Sequence, residues 1–253
     1  MPDQPSSMHR LTGIVIALIV ASLLWAGRSP APHRELVAEV DAVTEPGADL
    51  VRPSIPIIDL DAAECADAGY LCAELDRTGD FRAVRWPDGT RRLRIRVPVP
   101  EGVEASRARA LQRQAAAGIR EWQGRPLALD IVTSAAGGAD ADVTVRWVQS
   151  LDGDRLGQTS IRWGMPSGTP VYEVDDFVLA VRAPGGAPLS PEKVRLTAAH
   201  EMGHVLGLPH SEDEADVMYP YNTATRLTFH DFRTIEVLYG LPAGARVVRA
   251  VSR

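Results

Sequence analysis

The chain has 253 residues, of which 45% are hydrophobic and 24% are charged. These proportions are ordinary for a globular protein and exclude a wholly disordered or fibrous chain. The length allows one domain of ordinary size with residues to spare, or two small domains. The net charge is −6 and no basic run stands out, so we expect no nucleic-acid partner.

An apolar run without a charge comes after a short N-terminal tail, residues 1–10, and covers residues 11–27. As a helix it would be roughly 25 Å long, slightly shorter than a hydrocarbon core of ~30 Å. This length fits the apolar part of a signal peptide or a short membrane anchor. No A-x-A cleavage pattern is present after the run, and Trp25 at the exit suits the membrane interface. The sequence therefore favours an extracytoplasmic protein anchored by this helix; secretion after signal cleavage is the alternative.

Residues 28–80 begin rich in Pro, Ala and acidic residues and lack a sustained period of 2 or 3.6. This composition predicts a linker or loosely ordered spacer, with one or two short helical turns around residues 64–75. Cys65 and Cys72 lie in this stretch, and in an oxidising compartment they are expected to form a disulfide. The alternative is that one thiolate caps a metal site and keeps an enzyme latent.

A compact domain is predicted over residues 81–243, with a C-terminal tail over residues 244–253. Alternating apolar residues predict strands, and apolar residues on one helical stripe predict an amphipathic helix. The domain of ~160 residues is large enough to bury its own core as a mixed α/β sandwich. The predicted strands cover residues 93–97, 127–131, 143–147, 159–163 and 177–181, and the early helix covers residues 104–122.

Two later helices have clear end signals. Ser190 is a suitable N-cap, Pro191 suits the first helical position, and Gly207 supplies a left-handed stop. The last helix begins at Thr228, with Asp231 as its capping-box partner, and ends at Gly240.

The first of these helices carries His200 and His204, four residues apart and therefore on one helical face. Gly207 allows a sharp turn, so that His210 can swing back as a third ligand. Three imidazoles leave one position of a tetrahedral zinc open for water. Glu201, about 100° round the helix from His200, is placed to hydrogen-bond that water without ligating. The spacing predicts one catalytic Zn²⁺ with Glu201 as general base.

The histidine motif resembles that of the metzincin metalloproteases, and HSEDEADVMYP, residues 210–220, resembles the matrixin branch, the family of the matrix metalloproteinases. The resemblance is strong over residues 196–240 and general over residues 85–195. It implies an α+β, metzincin-like catalytic domain with a twisted mixed sheet of about five strands and three helices. An N-terminal hydrophobic helix and a linker would precede this domain.

The resemblance also implies roles for residues after the histidines. Met218 would form the Met-turn beneath the zinc, and Tyr219, Pro220 and Tyr221 would line the pocket for the substrate side chain after the scissile bond. Asp231 matches one of the family's paired acids, and His230 stands where the other is expected. We also expect the strand over residues 159–163 to be the one along which the peptide lies extended.

The sequence departs from the family in two ways. No PRCGxPD-type cysteine switch is evident, and no histidine lies between His33 and His200, so the family's second, structural zinc is not expected. The chain is also a candidate for binding Ca²⁺ through acidic side chains. The alternative interpretation is that these side chains are solvated residues of loops. The candidate ligands are Asp140, Asp142, Asp152, Asp154, Asp175 and Asp176.

The leading hypothesis is a monomeric zinc endopeptidase that acts on a peptide or protein substrate outside the cytoplasm. A zinc-binding but catalytically inactive recognition module is the second hypothesis, and Glu201 argues against it because a pure binding site needs no base. The third is an anchored enzyme whose zinc hydrolyses a substrate that is not a peptide.

Overall fold

The computed structural model of the protein describes residues 55–134, 140–221 and 223–250. The N-terminal tail, the apolar run over residues 11–27 and the first half of the expected spacer lie outside this part. Within the described ranges, no helix is both long and apolar enough to cross a membrane. The strands are β1 Ile57–Leu60, β2 Asp80–Arg82, β3 Arg92–Arg96, β4 Ala128–Val132, β5 Val143–Val148, β6 Gly157–Gly164, β7 Val171–Ala180 and β8 Arg246–Arg249. The helices are α1 Ala62–Ala66, α2 Leu71–Thr78, α3 Ala105–Arg120, α4 Pro191–Val205 and α5 Phe229–Gly240.

The main sheet is mixed and has five strands in the order β4-β3-β5-β7-β6. All neighbours pair in parallel except β6 and β7, which are antiparallel, so that Thr159 lies opposite Phe177. Strand β6 is at the edge of this sheet. The α+β class and the five-stranded sheet agree with the sequence prediction, and β6 and β7 are longer than expected.

Helices α3 and α4 pack against each other, and α4 also contacts strands β6 and β7. The apolar stripe of α3 is fully buried at Leu111 and Ile119, as the helical period predicts. Trp122, just after α3, is also fully buried, and its indole Nε1 donates to the carbonyl oxygen of Ala199 in α4 at 2.8 Å. The amphipathic α3 therefore fixes the position of α4 within the core.

The prediction of a spacer over residues 28–80 is wrong for the part that the structure describes. Residues 57–78 form a strand and two helices that belong to the core. Leu71 and Leu75 of α2 are 2% and 1% exposed. Cys65 and Cys72 form a disulfide that joins α1 to α2. The described part of the chain has five helices: the three expected in the compact domain, and α1 and α2, which lie where one or two short helical turns were expected.

The expected C-terminal tail is also wrong for residues 246–249. They form β8, the central strand of a second, three-stranded sheet in the order β1-β8-β2. Strand β1 pairs with β8 in parallel and β2 pairs with it antiparallel. Arg246 of β8 also forms an ion pair with Asp80 of β2 at 2.5 Å. The segments before and after the predicted domain therefore pair with each other in one sheet.

The packing of α2 predicts a stability effect that a spacer would not have. Leu75→Ala should lower the free energy of unfolding by roughly 2–5 kcal/mol, because it removes a fully buried side chain from the core. The measurement is denaturant unfolding followed by circular dichroism. Arg77→Ala on the same helix is the control, since the Arg77 side chain is 66% exposed and its loss should change stability by at most about 0.5 kcal/mol. Equal stability of the Leu75 variant and the wild-type protein would contradict the packing.

Candidate metal centre

Helix α4 begins as the sequence predicts. The Ser190 side chain accepts a hydrogen bond from the Lys193 backbone N–H at 3.1 Å, and Pro191 is the first helical residue. The helix is buried from Leu196 to its end, including the side chains of His200 and His204. A polar helix segment inside the core needs hydrogen-bond partners for its side chains and its terminal carbonyls.

The last carbonyl groups of α4 receive those bonds from aromatic side chains. The Tyr172 hydroxyl shares its one proton between the oxygens of His204 and Val205, at 3.1 and 3.0 Å. The indole Nε1 of Trp86 donates to the oxygen of Val205 at 2.8 Å. These bonds fix the turn of the helix on which His204 stands.

A sharp turn brings the third histidine to the helix. Gly207 has φ = 98°, a left-handed conformation that favours glycine. A Cβ atom at this position would also lie 2.3 Å from the carbonyl oxygen of Val84, so no other residue fits without a shift of the backbone. The turn places His210 so that its Nε2 is 3.1 Å from the Nε2 of His204. The Nε2 atoms of His204 and His200 are also 3.1 Å apart.

Backbone carbonyl groups determine which ring nitrogens face one another. The Nδ1 of His200 lies 2.7 Å from the oxygen of Val217, and the Nδ1 of His204 lies 2.9 Å from the oxygen of Leu208. A carbonyl oxygen only accepts, so each Nδ1 is the donor. Burial, with the adjacent charge of His210, lowers the pKa of His204 to about 3, so this ring is neutral at physiological pH. The Nε2 atom of His204 therefore carries a lone pair, which can bind a metal ion.

This donor set fits a zinc ion. Two nitrogens bound to one tetrahedral zinc at 2.0–2.1 Å would lie roughly 3.3 Å apart, close to the 3.1 Å that separates the Nε2 of His204 from those of His200 and His210. Hydrogen bonds from Nδ1 to carbonyl oxygens, such as those of His200 and His204, are the usual support of ligating histidines. His200, His204 and His210 form one of two groups in the described part of the chain that could hold a metal ion. The other group comprises Asp213, Asp216 and His230.

Met218 lies beneath the histidine-bearing helix and is fully buried. Its sulfur occupies the space beside Gly203, where an added Cβ would lie only 2.2 Å from it. The buried Asp231 carboxylate holds this turn, since it accepts bonds from the backbone N–H groups of Val217 and Met218 at 3.1 and 3.4 Å. The last helix therefore supports the turn that carries Met218.

Asp231 has two further roles in the structure. Its Oδ2 accepts from the Thr228 backbone N–H at 2.8 Å, which completes the predicted capping box of α5. Its Oδ1 accepts from the Tyr70 hydroxyl at 3.4 Å. Burial raises the pKa of Asp231, and the charge of Asp216 adds to this effect. Tyr70, which lies between the disulfide-linked helices α1 and α2, thus contacts the residue that holds the turn at Met218.

Residues 133–240 match the sequence model of the family described as Matrixin. This match and the similarity to the relatives below support a matrixin-like metzincin. Among curated proteins, macrophage metalloelastase of Oryctolagus cuniculus is 48% identical over 52 residues, which is 19% of this chain and 11% of that protein. Matrix metalloproteinase-18 of Xenopus laevis is 48% identical over 50 residues, which is 18% of this chain and 11% of that protein. The matched segment spans about a tenth of the length of these relatives.

The expected pocket wall of this matrixin-like chain comes directly after the Met218 turn. Tyr219 is half-buried, whereas Pro220 and Tyr221 are exposed, and the two tyrosine rings are 5.9 Å apart. Their role in binding a substrate side chain stays a prediction.

Two of the six expected calcium ligands form ion pairs with arginines. Asp175 pairs with Arg162, and Asp176 pairs with Arg146 at 2.9 Å. Within the described ranges, the candidate aspartates do not gather into a group of three metal ligands. Calcium binding by this matrixin-like chain stays a prediction.

Sequence analysis misses the contact between Glu201 and strand β6. The Thr159 hydroxyl donates to Oε2 of Glu201 at 2.8 Å, and Glu201 is only 5% exposed. The apolar alternation identifies Thr159 only as part of a strand. No signal in the sequence links two residues that are 42 positions apart on different elements.

The geometry predicts that zinc binding depends on the three histidines and not on His230. His210→Ala should lower zinc affinity by more than the roughly 10–100-fold that loss of a ligand's hydrogen-bond partner causes, because it removes a ligand itself. Isothermal titration of the metal-free protein with Zn²⁺ measures this change. His230→Ala is the matched control and should keep one zinc per chain. Loss of a zinc equivalent in the control would instead place metal at the group of Asp213, Asp216 and His230.

Proposed function

We propose that this chain is a zinc-dependent endopeptidase that acts outside the cytoplasm. The observation that carries the proposal is the placement of Glu201 between His200 and His204 on one buried helix, with the three imidazole nitrogens converging on one point. A glutamate next to the ligands is what hydrolysis requires and what mere metal storage does not. The family supports the same activity.

The residues that would hold the metal are His200, His204 and His210. When bound there, zinc supplies a Lewis acid that polarises a carbonyl group and lowers the pKa of water. Glu201 acts as general base: a carboxylate oxygen takes a proton from the attacking water as the new carbon–oxygen bond forms. Glu201 then gives that proton to the amine nitrogen as the carbon–nitrogen bond breaks, so the carboxylate is regenerated.

Strand β6 is the proposed binding edge for the peptide. It ends the main sheet and pairs with β7 along one side only, while α4 packs next to it. An extended peptide can add to such an edge through backbone hydrogen bonds, and side-chain pockets then supply selectivity. The proposed pocket wall is Tyr219, Pro220 and Tyr221, directly after the Met218 turn.

The proposed location rests on the disulfide. Cys65 and Cys72 are bonded in the structure, and structural disulfides persist in oxidising compartments outside the cytoplasm. Anchoring by residues 11–27 stays a prediction, because these residues lie outside the described part of the chain.

The decisive variant is Glu201→Gln. It keeps the size of the side chain but removes the base, so kcat for peptide cleavage should fall at least about a hundredfold while zinc content is unchanged. The assay measures cleavage of unfolded casein and of a peptide library, with and without a chelator, alongside zinc analysis. Glu192→Gln is the matched control: it is the same exchange on the same helix, at an exposed residue paired with Arg195.

The outcomes separate the hypotheses. Near wild-type cleavage by a zinc-loaded Glu201→Gln protein would contradict the proposed mechanism. A wild-type protein that binds zinc but cleaves neither casein nor peptides would be the recognition module or a hydrolase of another substrate class.

A further inference from the structure

The Glu201 carboxylate lies against the inner face of strand β6. Thr159 Oγ1 is 2.8 Å from Oε2 of Glu201 and 3.2 Å from the backbone oxygen of Glu201. A hydroxyl has one proton to donate, and the carboxylate oxygen is both the closer and the more negative acceptor. Thr159 therefore directs its hydrogen bond to the carboxylate.

A second residue of β6 shapes the same space. Side chains alternate along a strand, so Gly157 and Thr159 face the same side. A Cβ atom at Gly157 would lie 2.5 Å from Oε1 of Glu201 and 2.7 Å from Cγ2 of Thr197. The glutamate side chain fills the volume that any larger residue at position 157 would need. Gly157 gives the carboxylate room, and Thr159 gives it a fixed orientation.

We propose that Thr159 is a positioning residue for the Glu201 carboxylate, with Gly157 providing the space in which it is held. This inference rests on the proposed function for its catalytic consequence. A glutamate has several rotatable bonds, and a base that samples many orientations is in the productive one for only part of the time. The bond from Thr159 selects one orientation before the substrate arrives.

The first experiment measures steady-state peptide cleavage by zinc-loaded variants. Thr159→Val removes the hydroxyl and keeps the branched shape, so kcat should fall about tenfold while KM stays within about twofold. Thr159→Ser restores the hydroxyl and should return kcat to within about threefold of wild type. Gly157→Ala should lower kcat at least as much as Thr159→Val, because it displaces the carboxylate. Thr144→Val is the control, since Thr144 is exposed on β5.

The second experiment requires neither zinc nor activity. Unfolding of the metal-free protein is measured for Thr159→Val, Glu201→Leu and the double variant, because leucine fills most of the volume of the glutamate side chain but cannot accept the hydrogen bond. A hydrogen bond between the two side chains predicts a coupling of about tenfold in the unfolding equilibrium constant, as expected for a bond to a charged group. A merely structural threonine would show coupling below about twofold.

The outcomes of the two experiments distinguish a failure of the positioning role from a failure of the proposed function. If the wild-type protein cleaves peptides and Thr159→Val has wild-type kcat, the positioning role is wrong and the proposed function stands. If the wild-type protein cleaves no peptide, the proposed function fails; coupling of about tenfold then still supports Thr159 as the residue that orients Glu201. Coupling below about twofold overturns the inference in either case.

Discussion

Helix α4 combines two properties that oppose each other: it is buried, and it carries ionisable side chains. A buried polar group without a partner costs about 1–3 kcal/mol, so each one must be matched by a donor or an acceptor. The surrounding elements supply these partners from distant parts of the chain. The backbone carbonyl groups of α4, and of Leu206 just after it, accept bonds from Trp122 after α3, Tyr172 on β7, Trp86 before β3 and Tyr239 on α5. The side chains of His200 and His204 are matched by the carbonyl groups of Val217 and Leu208. Much of the arrangement of the domain results from satisfying this one helix.

The parts of the fold that the sequence predicts well are those with local signals. Helix α4 has an N-cap, a proline at its first position and a glycine after its end, and all three act within a few residues. The capping box of Thr228 and Asp231 is equally local and is present in the structure. The histidine spacing belongs to the same class, since a helical period converts positions along the chain directly into positions on one face.

The parts that sequence analysis misses depend on contacts between distant residues. Strands β1 and β8 have four residues each, too few for an alternating pattern to stand out, and their pairing joins Ile57 to Arg246. The acidic and proline-rich start of residues 28–80 indicates a spacer. In a prediction from sequence, this composition hides the two leucines of α2 that are buried in the structure. Thr159 is missed for a similar reason, because its partner in α4 is set by how β6 packs on the helix.

The central place of β8 in the small sheet has a consequence for how the protein is made. Strands β1 and β2 are synthesised early, but the strand between them comes after the histidine-bearing helix and after α5. A chain that emerges from its N-terminus therefore cannot complete this sheet until residues 246–249 have been released. Tyr70, which lies between β1 and β2 along the chain, likewise meets its partner Asp231 only after α5 has been synthesised. Closure of this sheet is therefore a late event in biosynthesis, and a chain truncated before residue 246 never reaches it.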